Sequence, residues 1–188
     1  MSDELRGMRV AFLMANEGVE QVELTDPWQA VESAGGLPTL IATEEGTAQA
    51  FRHLTPTDTF PVDITTDLAD PETFDALVLP GGVANADKIR TDPKAVFFVR
   101  RCFERDLPVA VICHGPWILT DAGVAKERVL TSWPSLKTDL TNAGAEWVDE
   151  EVRVDGNLVT SRNPGDLPAF CRELVRVFSA RHAHSAAR

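Results

Sequence analysis

Two rhythms of apolar residues alternate along this chain. Met8–Met14 (MRVAFLM), Leu37–Thr43 (LPTLIAT), Ala76–Leu79 (ALVL) and Val109–Ile112 (VAVI) are short continuous apolar runs, the pattern of strands buried on both faces. Between them the spacing turns helical. QVELTDPWQAVESAGG presents Val22, Trp28 and Val31 as its apolar face, with Gly35-Gly36 as the stop and Pro27 as a kink or interrupted first turn. Asp92–Arg105 is helical with Pro93 in its first turn, as are Gly115–Ala122 and Ser135–Asn142. Leu167–Arg181 is a closing amphipathic helix, capped near Asn163. FRHLTP and FPVDITTDL suggest short strands, one hairpin among them. Asp155-Gly156-Asn157 marks a second hairpin, between Trp147–Val154 and Leu158–Ser161. Strands alternating with helices predict an α/β sandwich, with a mainly parallel sheet covered on both faces. In such sheets sites form beyond the carboxyl ends of the strands. Here those ends carry NEGVE, PGGVANAD and CHGPW.

Composition narrows the function. With 188 residues, 44% hydrophobic and 25% charged, the chain suits one globular domain, its core about residues 8–181. The terminal stretch 182–188, with His182 and His184, reads as a frayed tail. No apolar run is long enough to span a bilayer and the N-terminus does not resemble a secretory signal, so a cytoplasmic protein is expected. A net charge of −11 repels phosphate backbones and anionic lipid, which argues against nucleic acid or membrane as partner. Three scattered cysteines form no disulfide framework and no CxxC. The four histidines form no HExxH, and no nucleotide-binding fingerprint is present. The expectation is no metal and no cofactor.

The candidate chemistry gathers at AVICHGPW. A sharp strand-to-helix turn lifts its apex side chain above the sheet and aims free backbone N–H groups at it. Cys113 at that apex would lie near the positive end of a helix dipole, which favours thiolate. Gly115 leaves room for close approach, and Pro116 fits a first helical turn. The bland alternative is a small buried core thiol, the reading that also suits Cys102 and Cys171 on their helices. His114 can act as a base or supply only its backbone N–H. Glu17, Glu20 and Glu23 recur around the first loop and helix start. They form a solvated acidic helix N-terminus, or one of them enters the site, where burial beside sulfur would raise its pKa. Asp87 can orient His114 as the acid of a Cys-His-acid set, and Gly81-Gly82 can expose N–H donors to a developing oxyanion.

The ordered set LVLPGGVANADKIRTD, AVICHGPWIL, LTSWPSLKTDLTNAGAEWVDEEV and DGNLVTSRNPGDLPAFCREL resembles the PfpI intracellular protease family of the ThiJ/PfpI superfamily, from about Arg9 to Phe178. The resemblance implies a flavodoxin-like three-layer sandwich with a nucleophile elbow at Cys113. It implies Cys113 as nucleophile with His114 beside it, and the backbone N–H groups of Gly82 and His114 as the oxyanion hole. Glu20 best matches the first-loop glutamate that meets the sulfur, Glu17 is the weaker match, and Glu23 looks like a helix residue. Asp87 matches an acidic position that reaches the histidine of a neighbouring subunit, so a homodimer or higher homo-oligomer is expected. Members act as proteases, chaperones, glyoxalases, deglycases and redox stress proteins. The chain is short and without a large insertion, which favours a small carbonyl or glycated substrate over a polypeptide. The leading expectation is therefore a stress-related cysteine hydrolase of deglycase, glyoxalase or peptidase type. The alternatives are a non-enzymatic oxidative-stress protein with Cys113 as peroxide sensor, or a chaperone.

Overall fold

The structure is a computed structural model, and it describes residues 3–186, with side chains to His182. In chain order the elements are β1 (Arg9–Leu13), β2 (Glu17–Glu20), α1 (Gln21–Ser33), β3 (Leu37–Ala42), β4 (Thr47–Arg52), β5 (Thr55–Pro61) and β6 (Ile64–Thr65). Then come β7 (Ala76–Leu79), α2 (Val83–Ile89), α3 (Pro93–Glu104), β8 (Val109–Ile112), α4 (Trp117–Asp121) and β9 (Val129–Leu130). The chain ends with α5 (Lys137–Asn142), β10 (Glu146–Trp147), β11 (Val152–Asp155), β12 (Leu158–Ser161) and α6 (Leu167–Ala186). Seven strands form one sheet in the order β11-β12-β8-β7-β1-β3-β6. All neighbours in it are parallel except the β11–β12 hairpin.

The apolar runs occupy the middle of this sheet because both faces there are covered. Side chains alternate across a strand, and the core divides accordingly. Val10 and Phe12 of β1, Val78 of β7 and Ile112 of β8 face α1 and α6, meeting Leu24, Val31, Phe170 and Phe178. Ala11, Leu13, Leu77, Leu79 and Val111 face the other way, onto Phe98 and Val99 of α3 and Ile118 and Leu119 of α4. This is the expected flavodoxin-like three-layer sandwich. Capping follows the sequence signals: Asp92 accepts the Lys94 N–H at the start of α3, and Asn163 accepts the Gly165 N–H in the 3-10 turn leading into α6.

Several boundaries depart from the sequence expectation. The last four residues of NEGVE form β2, which pairs with β4 and, through it, β5 in a separate three-stranded sheet. The hairpin turn of that sheet is His53-Leu54, inside FRHLTP. PGGVANAD contains the extra helix α2. Trp147 pairs in a two-stranded sheet with β9, so the second hairpin starts later, at Val152. Residues 182–186 continue α6, and His182 Nε2 lies 3.2 Å from the Arg6 carbonyl oxygen. Residues 187–188 and the His184 side chain lie outside the described residues.

Candidate active site

Segments that follow the carboxyl ends of β1, β7 and β8 meet at one point, where Glu23 of α1, Gly81 and Cys113 lie together. Cys113 follows β8 directly and has φ 61°, a left-handed conformation that costs energy for a residue with a Cβ. The surrounding backbone holds it there. Its N–H donates to the Ser161 carbonyl at 3.0 Å, and its carbonyl accepts the Trp133 N–H at 2.8 Å. Gly115 is needed for close packing within the chain: a Cβ there would lie 2.7 Å from the Leu79 oxygen and 2.9 Å from the Ile112 oxygen. The expected elbow is therefore present.

The carboxyl that meets the sulfur is Glu23. It is fully buried, whereas Glu20 is half-buried and Glu17 exposed. Glu20 turns away from the thiol, and its Oε2 accepts the His53 N–H at 2.9 Å, at the tip of the β4–β5 hairpin. This corrects the preference for Glu20, and the cause is the helix phase. The residues that α1 buries are Glu23, Leu24, Pro27 and Val31, a stripe at i, i+1, i+4 and i+8. Of the expected face, Val31 is buried, while Val22 and Trp28 are half-buried and flank the same core. Taking Leu24 and Val31 as the centre of the stripe would have brought Glu23 inward. A Cβ on Gly81 would collide with both Glu23 Oε2 and Cys113 Cβ, so the glycine is what lets acid and thiol share the space. Neither Glu23 oxygen has a partner of good hydrogen-bond geometry; the thiol and the Gly81 backbone lie beside it as weak polar contacts.

Electrostatics follow from this burial. Desolvation raises the Glu23 pKa from 4.5 to about 8, and the Glu20 charge adds to the rise. Glu23 therefore holds a proton at neutral pH. Burial also pushes the Cys113 thiol up, and a Glu23 charge would push it further. The N–H groups of Gly82 and His114 act in the opposite direction. The expected dipole-lowered thiol is thus corrected, because α4 has only five residues and the sulfur is almost fully covered. With Glu23 neutral, its opposition to thiolate disappears and the two N–H donors remain. Cys102 and Cys171 are free thiols, each pushed up to about 12, with burial as the first cause.

His114 completes the cluster within one protomer. Its Nδ1 lies 3.2 Å from Cys113 Sγ, and its Nε2 lies 3.4 Å from Ser135 Oγ. Trp133 stacks on the ring at 5.6 Å between centroids and 24° between planes. Burial holds the imidazole below its ordinary pKa, so it is neutral and able to accept a proton. Trp133-Pro134-Ser135 reads in the sequence as a turn beside a large apolar residue, and only the fold brings it onto His114. Asp87, by contrast, is exposed on α2, and its carboxylate has no hydrogen bond or ion pair among the described residues. Among those residues no cluster of three or more histidine, cysteine or acidic side chains could hold a metal, and no helix is long and apolar enough to cross a membrane.

Comparison with known proteins gives this arrangement its context. The family model described as DJ-1/PfpI matches residues 8–177. A deglycase of Pyrococcus horikoshii is 47% identical over 170 residues, covering 90% of this chain and 99% of its own. The deglycase PfpI of Pyrococcus furiosus is 45% identical over the same length, with the same coverage. Among solved structures, Drosophila melanogaster DJ-1beta superposes with a TM-score of 0.83 at 27% identity, over 92% of this chain and 91% of that one. A two-domain protein of Anabaena variabilis, with a DJ-1/ThiJ/PfpI-like and a ferritin-like domain, also reaches 0.83, at 34% identity over 90% of this chain and 47% of that one. With its sheet order, its elbow and these relatives in agreement, the chain belongs to the DJ-1/PfpI family.

Proposed function

We propose that this protein is a cysteine-dependent hydrolase of deglycase and glyoxalase type, acting on small carbonyl compounds and their amine adducts. The observation that carries the reading is the Glu23 carboxyl, fully buried beside Cys113, whose sulfur the N–H groups of Gly82 and His114 also meet. The names of the Pyrococcus relatives point the same way. For methylglyoxal, the thiol proton passes to His114 Nδ1 and sulfur bonds to the aldehyde carbon. Glu23 protonates the oxygen and yields a hemithioacetal. Removal of the proton on that carbon and its return to the neighbouring carbon, through an enediol, gives a lactoyl thioester. Water then cleaves the C–S bond, releasing lactate and the thiol. One carbon is oxidised and its neighbour reduced, so no external oxidant or reductant is consumed. From an amine adduct the same sulfur displaces the amine, which leaves with a proton. The Gly82 and His114 N–H groups stabilise negative charge on oxygen in each addition.

Incubation with methylglyoxal, with methylglyoxal-treated N-acetyl-lysine and with a fluorogenic peptide, followed by lactate, free-amine and fluorescence assays, tests the reading. Lactate from the first two is expected. Turnover of none of the three would sink the proposal, and turnover of the peptide alone would replace it with a peptidase.

Asp87 enters the proposal only through a second copy of the chain, since within one protomer it stands apart from His114. Sedimentation at micromolar concentration should show a dimer or larger. A monomer with full activity would remove Asp87 from the site.

A further inference from the structure

Asn85 is almost wholly buried, on α2 just beyond the Gly81-Gly82 turn. Every polar atom of its amide is used. Oδ1 accepts the Ala15 N–H at 2.7 Å, and Nδ2 donates to the carbonyls of Pro80 at 3.1 Å and Gly81 at 2.9 Å. Only this orientation of the amide works, because a flipped one would set N–H against N–H and oxygen against two carbonyls. The Gly81 carbonyl takes a second donor, the Glu20 N–H, at 3.4 Å. In a planar trans peptide the C=O and the following N–H point in opposite directions. Fastening the Gly81 oxygen on one side therefore directs the Gly82 N–H to the other, where Cys113 sulfur lies. Gly82, with φ 90° and no room for a Cβ against the Gly18 carbonyl, has a backbone that could turn easily without such a fastening.

We propose that Asn85 is a positioning residue of the reaction: by gripping the Gly81 carbonyl it aims the Gly82 N–H at the sulfur and at the oxyanion that forms there. The grip joins the end of β1, through Ala15, to the turn after β7, so the donor is registered to the sheet. The inference rests on the function proposed above for its catalytic consequence, but the aim of the Gly82 N–H toward sulfur stands apart from any substrate.

The test is Asn85→Asp, which keeps the size and the acceptor for Ala15 but turns a carboxylate oxygen on the two carbonyls. Two readouts are needed: the pH dependence of Cys113 alkylation by iodoacetamide, and the Gly82 amide resonance before and after alkylation. The variant should alkylate with a raised thiol pKa, and its Gly82 resonance should no longer respond to the modification. If methylglyoxal turnover exists, kcat should fall on the order of 100-fold with KM little changed, the loss expected for one oxyanion donor. A folded variant with an unaltered thiol pKa and a responsive Gly82 amide would overturn the proposal, leaving Asn85 a structural bracket. Wild-type protein without turnover but with those two readouts shifted in the variant would overturn the function and keep this inference. Should Asn85→Asp not fold, Asn85→Ser makes the same comparison. Hydrogen exchange of the Asn85 side-chain amide in wild type needs no variant, and exchange as fast as an exposed amide would overturn the proposal.

Discussion

Cys113→Ser should abolish methylglyoxal turnover, by on the order of 10³-fold or more, while the protein stays folded. A hydroxyl is far harder to ionise than a thiol, and at this covered position the neighbouring His114 and the two N–H groups cannot close that gap. The fold should survive, since serine is nearly isosteric and Glu23 gives its hydroxyl a partner. The left-handed conformation at 61° is imposed by the Ser161 and Trp133 hydrogen bonds, which the substitution leaves in place. Circular dichroism and a melting curve close to wild type, together with lost lactate production, are the expected pair. Substantial activity in the serine variant would mean that the chemistry lies elsewhere and that the elbow is only architecture.

Glu23→Gln should separate catalysis from stability. Turnover should fall about 10²-fold or more, the scale of a lost general acid or base. Glu20→Gln should change little, because an amide oxygen still accepts the His53 N–H. Stability should move in a different way. The Glu23 carboxyl titrates near 4.5 when the chain is unfolded and at about 8 when folded. Below 4.5 both states carry the proton and there is no penalty. Between the two values the unfolded chain has released a proton that the folded one keeps, so wild-type stability falls as pH rises, with a slope approaching about 1.4 kcal/mol per pH unit. Above about 8 both have released it and the slope ends. The amide does not titrate, so denaturant midpoints for Glu23→Gln should lack this decline. A wild-type profile that is flat from pH 5 to 8 and parallel to the variant's would show that Glu23 is not held protonated. (Groups that do not interact with Glu23 contribute equally to both curves and cancel in the difference.)

Much of this molecule was legible before folding was considered. Four apolar runs too short for helices and too uniform for half-exposed strands announced a buried parallel sheet. VAVI ending in Cys113-His114-Gly115-Pro116 announced a strand-to-helix turn, and Asn163-Pro164 announced the start of the last helix. Each is a local property, set by periodicity, by capping or by the backbone preferences of glycine and proline. The first-loop acids were harder. Glu17 and Glu20 lie on β2, whereas Glu23 lies on α1 and its direction is set by the rotation of that helix against the sheet, where one residue turns the face by about 100°. That rotation was decided by the packing of Leu24, Pro27 and Val31 and by the absence of a Cβ on Gly81.

Sequence by itself determined the layers of this protein and the elbow at Cys113, because these follow from neighbours along the chain. Tertiary structure alone decided the partners. It chose Glu23 over Glu20, folded Trp133 and Ser135 onto His114, left Asp87 facing outward, and set Asn85 behind the Gly81 carbonyl. It also overturned the simple dipole argument for Cys113: the stabilisation offered by a five-residue helix is local and weak, whereas desolvation depends on everything packed around the sulfur. Burial of a charge is a property of the whole fold, and no spacing of residues along the chain encodes it.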